Sequence, residues 1–185
     1  MQTVLFHDTV FGPIHSRRLG VSLGINLMPN DGKICSFDCV YCEAGYNAQG
    51  QGTTGVPTRE QVKRQLKNRL AAMSEAGDPL DVITFSGNGE PTLHPDFKSI
   101  IHDVINLRNH YYPEAKVSVL SNSTMAGRPT VMAALKMVDN NILKLDSAIA
   151  HTFLAINQPQ SHNVLPEGII DDLKAYGGKC IVQTM

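Results

Sequence analysis

A chain of 185 residues, 42% of them apolar and 18% charged, is long enough for one domain with a hydrophobic core and too apolar for a disordered protein. Its formal net charge of −1 excludes a protein that binds nucleic acid by overall charge, so any such contact needs a local basic patch. The chain has no apolar run of membrane-spanning length, and its first residues lack the basic start and apolar stretch of a secretory signal. We therefore expect a soluble, cytoplasmic protein with no membrane partner.

The predicted elements alternate strands and helices along the whole chain. The first strand lies at 20–29, where apolar residues alternate with small or polar ones and turn residues stop the strand. Thr58, with Gln61 three residues later, is typical of a helix N-cap, and apolar residues then recur at helical spacing from 59 to 76, before Gly77. The further predicted elements are strands at 81–86, 116–120, 142–145 and 179–183, and helices at 95–109, 128–138 and 166–176.

This alternation predicts right-handed βαβ units, and therefore an α/β fold with about five strands in a parallel sheet. In parallel α/β folds, ligands bind at the carboxyl ends of the strands. The most polar and glycine-rich joints of this chain follow the predicted strands, at 34–45, 87–91, 121–123, 146–147 and 183–184. We expect a functional site where these joints meet.

The last predicted strand, 179–183, has no covering helix after it. A parallel strand left at the edge of a sheet exposes unpaired backbone groups. We therefore expect residues 1–185 to be the core of a longer polypeptide, truncated at the carboxyl end.

Three of the four cysteines fall within eight residues, Cys35, Cys39 and Cys42, in a C-x3-C-x2-C arrangement. Thiolates suit soft metals and iron–sulfur clusters. Three of them can hold a cubane by three irons and leave the fourth iron open to an outside ligand, and an open position distinguishes a reactive metal site from a structural one. The fourth cysteine, Cys180, lies in an apolar strand, and we interpret it as a buried packing residue.

Two motifs resemble the signatures of the radical S-adenosylmethionine superfamily. The first is the cysteine spacing with an aromatic residue, Tyr41, before the third cysteine, and the second is Gly87-Asn-Gly-Glu-Pro91, similar to that superfamily's Gly-Gly-Glu-Pro segment. Within the superfamily, the segments 11–20 and 86–93 are most similar to the branch related to the tRNA wyosine-forming enzymes. His15 stands where that branch usually has a second proline.

The resemblance implies a partial parallel β/α barrel of radical S-adenosylmethionine type that spans residues 1–185. It implies a [4Fe–4S] cluster on Cys35, Cys39 and Cys42 that binds S-adenosylmethionine through its amino and carboxylate groups. Reductive cleavage of this cofactor would release a 5′-deoxyadenosyl radical, and the protein would position the reactants and exclude water. The implied partners are a flavodoxin-like or ferredoxin-like electron donor and an unknown substrate, for which a tRNA base is one candidate.

The same resemblance assigns seven residues to S-adenosylmethionine. The two glycines and the glutamate after the second predicted strand would face the methionine amino end, since glycine backbone can approach a ligand closely. The serine and asparagine after the third strand would lie near the ribose or carboxylate, the aspartate after the fourth would add a polar contact, and the tyrosine would pack by the adenine. These candidates are Tyr41, Gly87, Gly89, Glu90, Ser121, Asn122 and Asp146.

Two other functions stay open from the sequence. The cluster could belong to a non-catalytic protein that transfers electrons or senses redox state, a role that a closed four-ligand site would suit better. Alternatively, the cysteines could bind zinc in a structural domain, with His15 or His94 as the fourth ligand, although the paired ligand spacings of zinc knuckles are missing.

Two basic segments have both a structural and a functional interpretation. Arg17 and Arg18 could bind a phosphate or carboxylate ligand, but we favour an ion pair within the fold. The helix predicted at 59–76 is the second basic segment, with five basic residues and one acidic residue between positions 59 and 69. Such a run is usually a solvated helix face, and the alternative is an RNA-binding or partner-binding patch.

Overall fold

The computed structural model describes residues 3–184. One six-stranded sheet forms its centre, with the strands side by side in chain order. β1 runs antiparallel to β2, and every later neighbour is parallel. The strands are β1 Val10–Ser16, β2 Gly20–Ile25, β3 Val82–Phe85, β4 Lys116–Ser121, β5 Asn140–Lys144 and β6 Ile181–Gln183.

Helices connect the parallel strands. Because a parallel connection must return the chain to the same end of the sheet, each one crosses the sheet through a helical segment. The helices are α1 Arg59–Ala76, α2 Phe97–Tyr111, α3 Pro129–Leu135, α4 Ala150–Asn157 and α5 Pro166–Lys174, with short 3₁₀ turns at Asn47–Gln49 and Pro91–Leu93. The five predicted strands and four predicted helices are confirmed, with ends that differ by a few residues.

The sequence analysis missed two elements, β1 and α4. β1 contains Gly12 and Pro13 and shifts its register between Phe11 and Ile14, so it lacks the strict alternation of a regular strand. α4 has eight residues and no side-chain cap at Ile149, and it buries only two of its side chains, so its helical signal is weak.

The core is formed by the sheet and the helices that pack on it. All four residues of β3 are buried, as expected for a central parallel strand covered on both sides. α1 and α2 contribute Val62, Leu66, Leu70 and Ile101 to the same core. At the far edge, β6 leaves Ile181 and Val182 about half exposed, so the sheet is an open, partial barrel. Across residues 3–184, none of the helices has both the length and the apolar character needed to cross a membrane.

The basic run of α1 is partly used inside the fold. Arg59 donates two hydrogen bonds to the buried carboxylate of Asp103 on α2, at 2.6 and 3.1 Å, and Lys63 lies 3.4 Å from the same carboxylate. Arg69 donates to the carbonyl oxygen of Gly12. These contacts tie α1 to α2 and to β1, which favours the structural interpretation of this segment.

Arg17 and Arg18 are both exposed. Within residues 3–184 neither forms an ion pair, so the structural pairing that we favoured for them is wrong. Both lie in the turn between β1 and β2, and the nearby carboxylate of Asp81 accepts instead from the backbone N–H of Val21.

Asp103→Ala is expected to lower the free energy of unfolding by about 1–2 kcal/mol, because it removes a charge-assisted double hydrogen bond whose basic partners are partly solvated. The hydrogen bond from Arg59 holds the pKa of Asp103 below its usual range. This stabilisation is therefore present above the unfolded-state pKa of about 3.9 and is lost as the pH falls through the lower folded-state value. Urea unfolding at pH 7 and at low pH measures it, with the exposed Glu114→Ala as a control expected to change stability by less than about 0.5 kcal/mol.

Candidate functional site

A cavity of about 220 Å³ opens at the carboxyl ends of the parallel strands. All ten residues that the sequence analysis assigned to the cluster and the cofactor line it, although they come from four separate segments of the chain. Five further residues complete its wall. The lining residues are Lys33, Cys35, Phe37, Cys39, Tyr41, Cys42, Gly87, Gly89, Glu90, Leu120, Ser121, Asn122, Lys144, Asp146 and Gln183.

The cysteine-bearing loop after β2 is held by the loop after β3. The backbone N–H of Glu90 donates to the carbonyl oxygen of Ile34 at 3.0 Å, and the N–H of Ile34 donates to the carbonyl oxygen of Asn88 at 3.2 Å. Between them, Gly89 has a φ of +146°, and a Cβ there would lie 1.9 Å from the carbonyl oxygen of Ile34. Only glycine permits this close approach of the two loops.

Asn88, which separates the two glycines, is fully buried, and its polar side-chain atoms all form hydrogen bonds. Its side-chain amide donates to the carbonyl oxygens of Phe6 and Pro29, both at 2.8 Å, and its Oδ1 accepts from the N–H of Phe6. Its own N–H donates to Oδ1 of Asn26 at 3.0 Å. Asn88 therefore ties the segment before β1 and the segment after β2 to the wall of the cavity.

Glu90 is 2% exposed and connects two of the strand-end loops. Its Oε1 accepts hydrogen bonds from the N–H and hydroxyl of Thr92 and from the hydroxyl of Ser121, and its Oε2 accepts from the N–H of Asn122 at 2.6 Å. Burial raises the pKa of Glu90, and these donors oppose that rise by stabilising the carboxylate. The glutamate thus fixes the positions of Ser121 and Asn122.

Each motif cysteine has a nitrogen donor next to its sulfur. For Cys35 the donor is the side-chain amide of Asn122, at 3.4 Å. For Cys39 the donors are the ammonium of Lys144 at 2.9 Å and the amide of Asn157 at 3.5 Å. For Cys42 it is the ammonium of Lys33, at 3.6 Å.

Tyr41 and Asp146 meet on the wall formed by β5. The hydroxyl of Tyr41 donates to Oδ2 of Asp146 at 2.6 Å, and Lys144 lies 3.1 Å from the same oxygen and 4.9 Å from the centre of the Tyr41 ring. Burial opposes ionisation of Asp146, but the hydrogen bonds from Tyr41 and Asn157 and the nearby lysine hold its pKa below the usual range. Asp146 is therefore an anion that orients both Tyr41 and Lys144.

The sequence analysis missed Lys33 and Lys144 as members of the site. Lys33 precedes the first cysteine by two residues, and Lys144 is the last residue of β5, so both positions border segments that were already singled out. A rule that included the flanking basic residue of each strand-end segment would have found them.

The donor set fits a cubane cluster better than a single metal ion. Within residues 3–184, no three His, Cys, Asp or Glu side chains are grouped as ligands of one ion. A cubane does not need such convergence, since each thiolate binds a different iron, and hydrogen bonds to the sulfurs are typical of protein-bound clusters. Lys33, Lys144 and the two amides offer such bonds.

The proposed fourth ligands of a zinc site lie elsewhere. His94 is buried, with one ring nitrogen 2.8 Å from the carbonyl oxygen of Pro57 and the other 3.1 Å from the N–H of Asp96. His15 lies exposed on β1. Cys180 packs against the core, as its interpretation as a packing residue predicts, but it is only partly buried, lies just before β6 and lines a different cavity, so its placement inside a buried strand is wrong.

Comparison with known proteins agrees with this geometry. The family model described as the Radical SAM superfamily matches residues 30–151. A "UPF0026 protein" from Helicobacter pylori is 32% identical over 178 residues, which cover 95% of this chain and 55% of the relative. The chain thus spans about half the length of the curated relatives it matches.

Two solved structures share the fold. Native anSMEcpe with bound AdoMet gives a TM-score of 0.57 at 17% identity, over 87% of this chain and 42% of that one. TYW1 with a lysine–pyruvate adduct bound gives a TM-score of 0.54 at 16% identity, over 87% of this chain and 53% of that one. At these identities the likeness concerns the fold alone.

Proposed function

Since the chain belongs to the radical S-adenosylmethionine superfamily of enzymes, we propose that Cys35, Cys39 and Cys42 hold a [4Fe–4S] cluster beside a binding site for S-adenosylmethionine. The chemistry supplied there would be the one-electron cleavage of S-adenosylmethionine to methionine and a 5′-deoxyadenosyl radical able to take a hydrogen atom from a substrate. The protein contributes the position of these partners and the exclusion of water.

One observation carries the proposal. The three motif cysteines line one cavity together with the strand-end groups, whereas Cys180 lines another. Three thiolates would leave one iron of a cubane without a cysteine ligand, and the cavity that they line would give an outside molecule room to bind. This arrangement is less suited to a closed four-cysteine cluster that only transfers electrons.

The wall of the cavity offers the groups that such a cofactor needs. We propose that the backbone of Gly87 and Gly89, which lines the cavity, faces the cofactor, while Asn26 and Ile34 fill the space where their Cβ atoms would lie. Ser121 and Asn122, held by Glu90, provide polar groups for the methionine or ribose end. We propose the same cofactor-binding role for Tyr41 and Asp146 on the wall formed by β5.

We also propose an electron donor and a candidate substrate for the whole protein. A one-electron donor of the flavodoxin or ferredoxin type would supply the electron. A tRNA base remains a candidate substrate, although three of the basic residues of α1, namely Arg59, Lys63 and Arg69, are engaged in contacts within the fold. This reduces the support that α1 gives to an RNA-binding patch.

The full-length protein, reconstituted anaerobically with iron and sulfide, is expected to form 5′-deoxyadenosine when dithionite and S-adenosylmethionine are added. Chromatography with mass detection measures the product, and reactions without dithionite or with the Cys42→Ala variant are expected to lack it. A cluster that forms but yields no product would favour the electron-transfer alternative. Zinc without iron in metal analysis would favour the structural zinc domain.

A further inference from the structure

The side chain of Lys33 is buried against the cysteine-bearing loop. It is 2% exposed, and its ammonium lies 2.6 Å from the carbonyl oxygen of Gly45, 3.2 Å from Oδ1 of Asp38 and 3.6 Å from the sulfur of Cys42. Burying a lysine is costly unless the charge is paired and hydrogen-bonded, as it is here. Although Lys33 lines the cavity, its ammonium is engaged by these three groups of the cysteine-bearing loop.

Asp38, the partner of Lys33, is the centre of a hydrogen-bond network that closes the loop. Its Oδ1 accepts from the backbone and side-chain N–H groups of Asn47, at 2.7 and 2.9 Å, and its Oδ2 accepts from the side chain of Gln160 at 2.6 Å. Asn47 in turn accepts from the N–H of Cys35 at 3.1 Å. The start, middle and end of the loop are therefore held together by side chains of the chain itself.

The ion pair is oriented with its positive end toward a ligand sulfur. Lys33 is the member of the pair that contacts Cys42, whereas the Asp38 carboxylate accepts hydrogen bonds from Lys33, Asn47 and Gln160. In the interior of a protein, a charge at this distance acts strongly, since little water screens it. Charge and hydrogen bonds at the ligand sulfurs are known determinants of cluster potentials.

We propose that Lys33 is a positioning residue that sets the reduction potential of the cluster through Cys42, with Asp38 limiting its effect. This inference rests on the proposed function, because it requires a cluster on the three cysteines. The step concerned is a one-electron reduction of the cluster by an external donor, in which no bond forms or breaks and no proton is transferred. The reduced cluster carries one more negative charge, so a fixed positive charge beside Cys42 stabilises it relative to the oxidised form.

Titration of the reconstituted full-length protein against mediators and dithionite, followed by electron paramagnetic resonance, measures the potential without any enzyme reaction. In Lys33→Met, which keeps an unbranched side chain of nearly the same length and removes its charge, the ratio of reduced to oxidised cluster at a fixed ambient potential is expected to fall about tenfold, a shift of about 59 mV for one electron. In Asp38→Asn, which removes the opposing charge, the shift is expected in the opposite direction. Lys67→Met, an equal change at an exposed position of α1, is the control and is expected to change the ratio less than twofold.

Opposite shifts in the two single variants separate an electrostatic role from a purely structural one, which would weaken cluster binding in both without moving the potential in opposite directions. If Lys33→Met fails to retain iron because the Asp38 carboxylate has lost its ionic partner, two other measurements test the inference. They are the sign of the potential shift in Asp38→Asn and the potential of the double variant Lys33→Met/Asp38→Asn, in which neither charge is present. A potential in Asp38→Asn equal to that of the parent, or the same shift in Lys33→Met and Lys67→Met, would overturn the inference. Absence of a cluster from the parent protein would instead overturn the proposed function.

Discussion

Cys39→Ala is expected to abolish the visible absorption of the reconstituted protein and to reduce its bound iron to near the level of the unreconstituted chain. Cys39 is the middle cysteine of the proposed ligand set and is 8% exposed, with its sulfur next to the side chains of Lys144 and Asn157. The two remaining thiolates would hold a cubane by only two irons, and such a cluster would be open to solvent and oxidation. Absorption spectroscopy with iron and sulfide analysis measures the result.

Cys180→Ala is the matched control, because it makes the same chemical change in the fourth cysteine. Cys180 lies beside β6 next to Lys179 and Ile181, on the wall of a different cavity. The spectrum and iron content are expected to equal those of the parent protein, and circular dichroism is expected to be unchanged in both variants. A cluster that survives Cys39→Ala and is lost in Cys180→Ala would refute the ligand assignment.

The location of the site could be predicted from the sequence because it depends on topology. Segments that follow parallel strands meet at one end of a sheet regardless of the details of packing, so the cysteines, the Gly87–Pro91 segment and Asp146 could be brought together before any coordinates were known. Their hydrogen-bond partners could not. The contact between Tyr41 and Asp146 spans 105 positions of the sequence, and nothing in either segment indicates it.

The two lysines of the site, Lys33 and Lys144, also could not be predicted from the sequence as members of the site. A lysine in a sequence is normally a solvated residue, and a carboxylate a few positions away does not show whether the fold buries the pair. Lys33 is buried because Asp38 and the carbonyl oxygen of Gly45 accept from it, and Lys144 is oriented by Asp146. Conversely, the basic residues of α1 were conspicuous in the sequence, yet Arg59 and Lys63 are bound to Asp103 on the neighbouring helix.

Gly89→Ala is expected to lower the free energy of unfolding by about 2–4 kcal/mol and to reduce the yield of reconstituted cluster severalfold. Two penalties combine at this position. The backbone at φ +146° is strained for any residue with a Cβ, and that Cβ would lie 1.9 Å from the carbonyl oxygen of Ile34, a backbone atom that cannot rotate away. Relief requires the loop after β3 to separate from the cysteine-bearing loop, which breaks the hydrogen bonds between Ile34, Asn88 and Glu90.

The comparison that isolates this effect is Gly168→Ala, which places the same methyl group on α5 with nothing within 4 Å of it. An alanine in a helix is favoured over glycine by about 0.5–1 kcal/mol, so this variant is expected to be slightly more stable than the parent and to bind the same amount of iron. Denaturant unfolding of the unreconstituted protein separates the structural penalty from any effect on the cluster. If Gly89→Ala unfolds at the same denaturant concentration as Gly168→Ala, the two loops are not joined as closely as their hydrogen bonds require, and the cavity between them owes its shape to something other than the glycine.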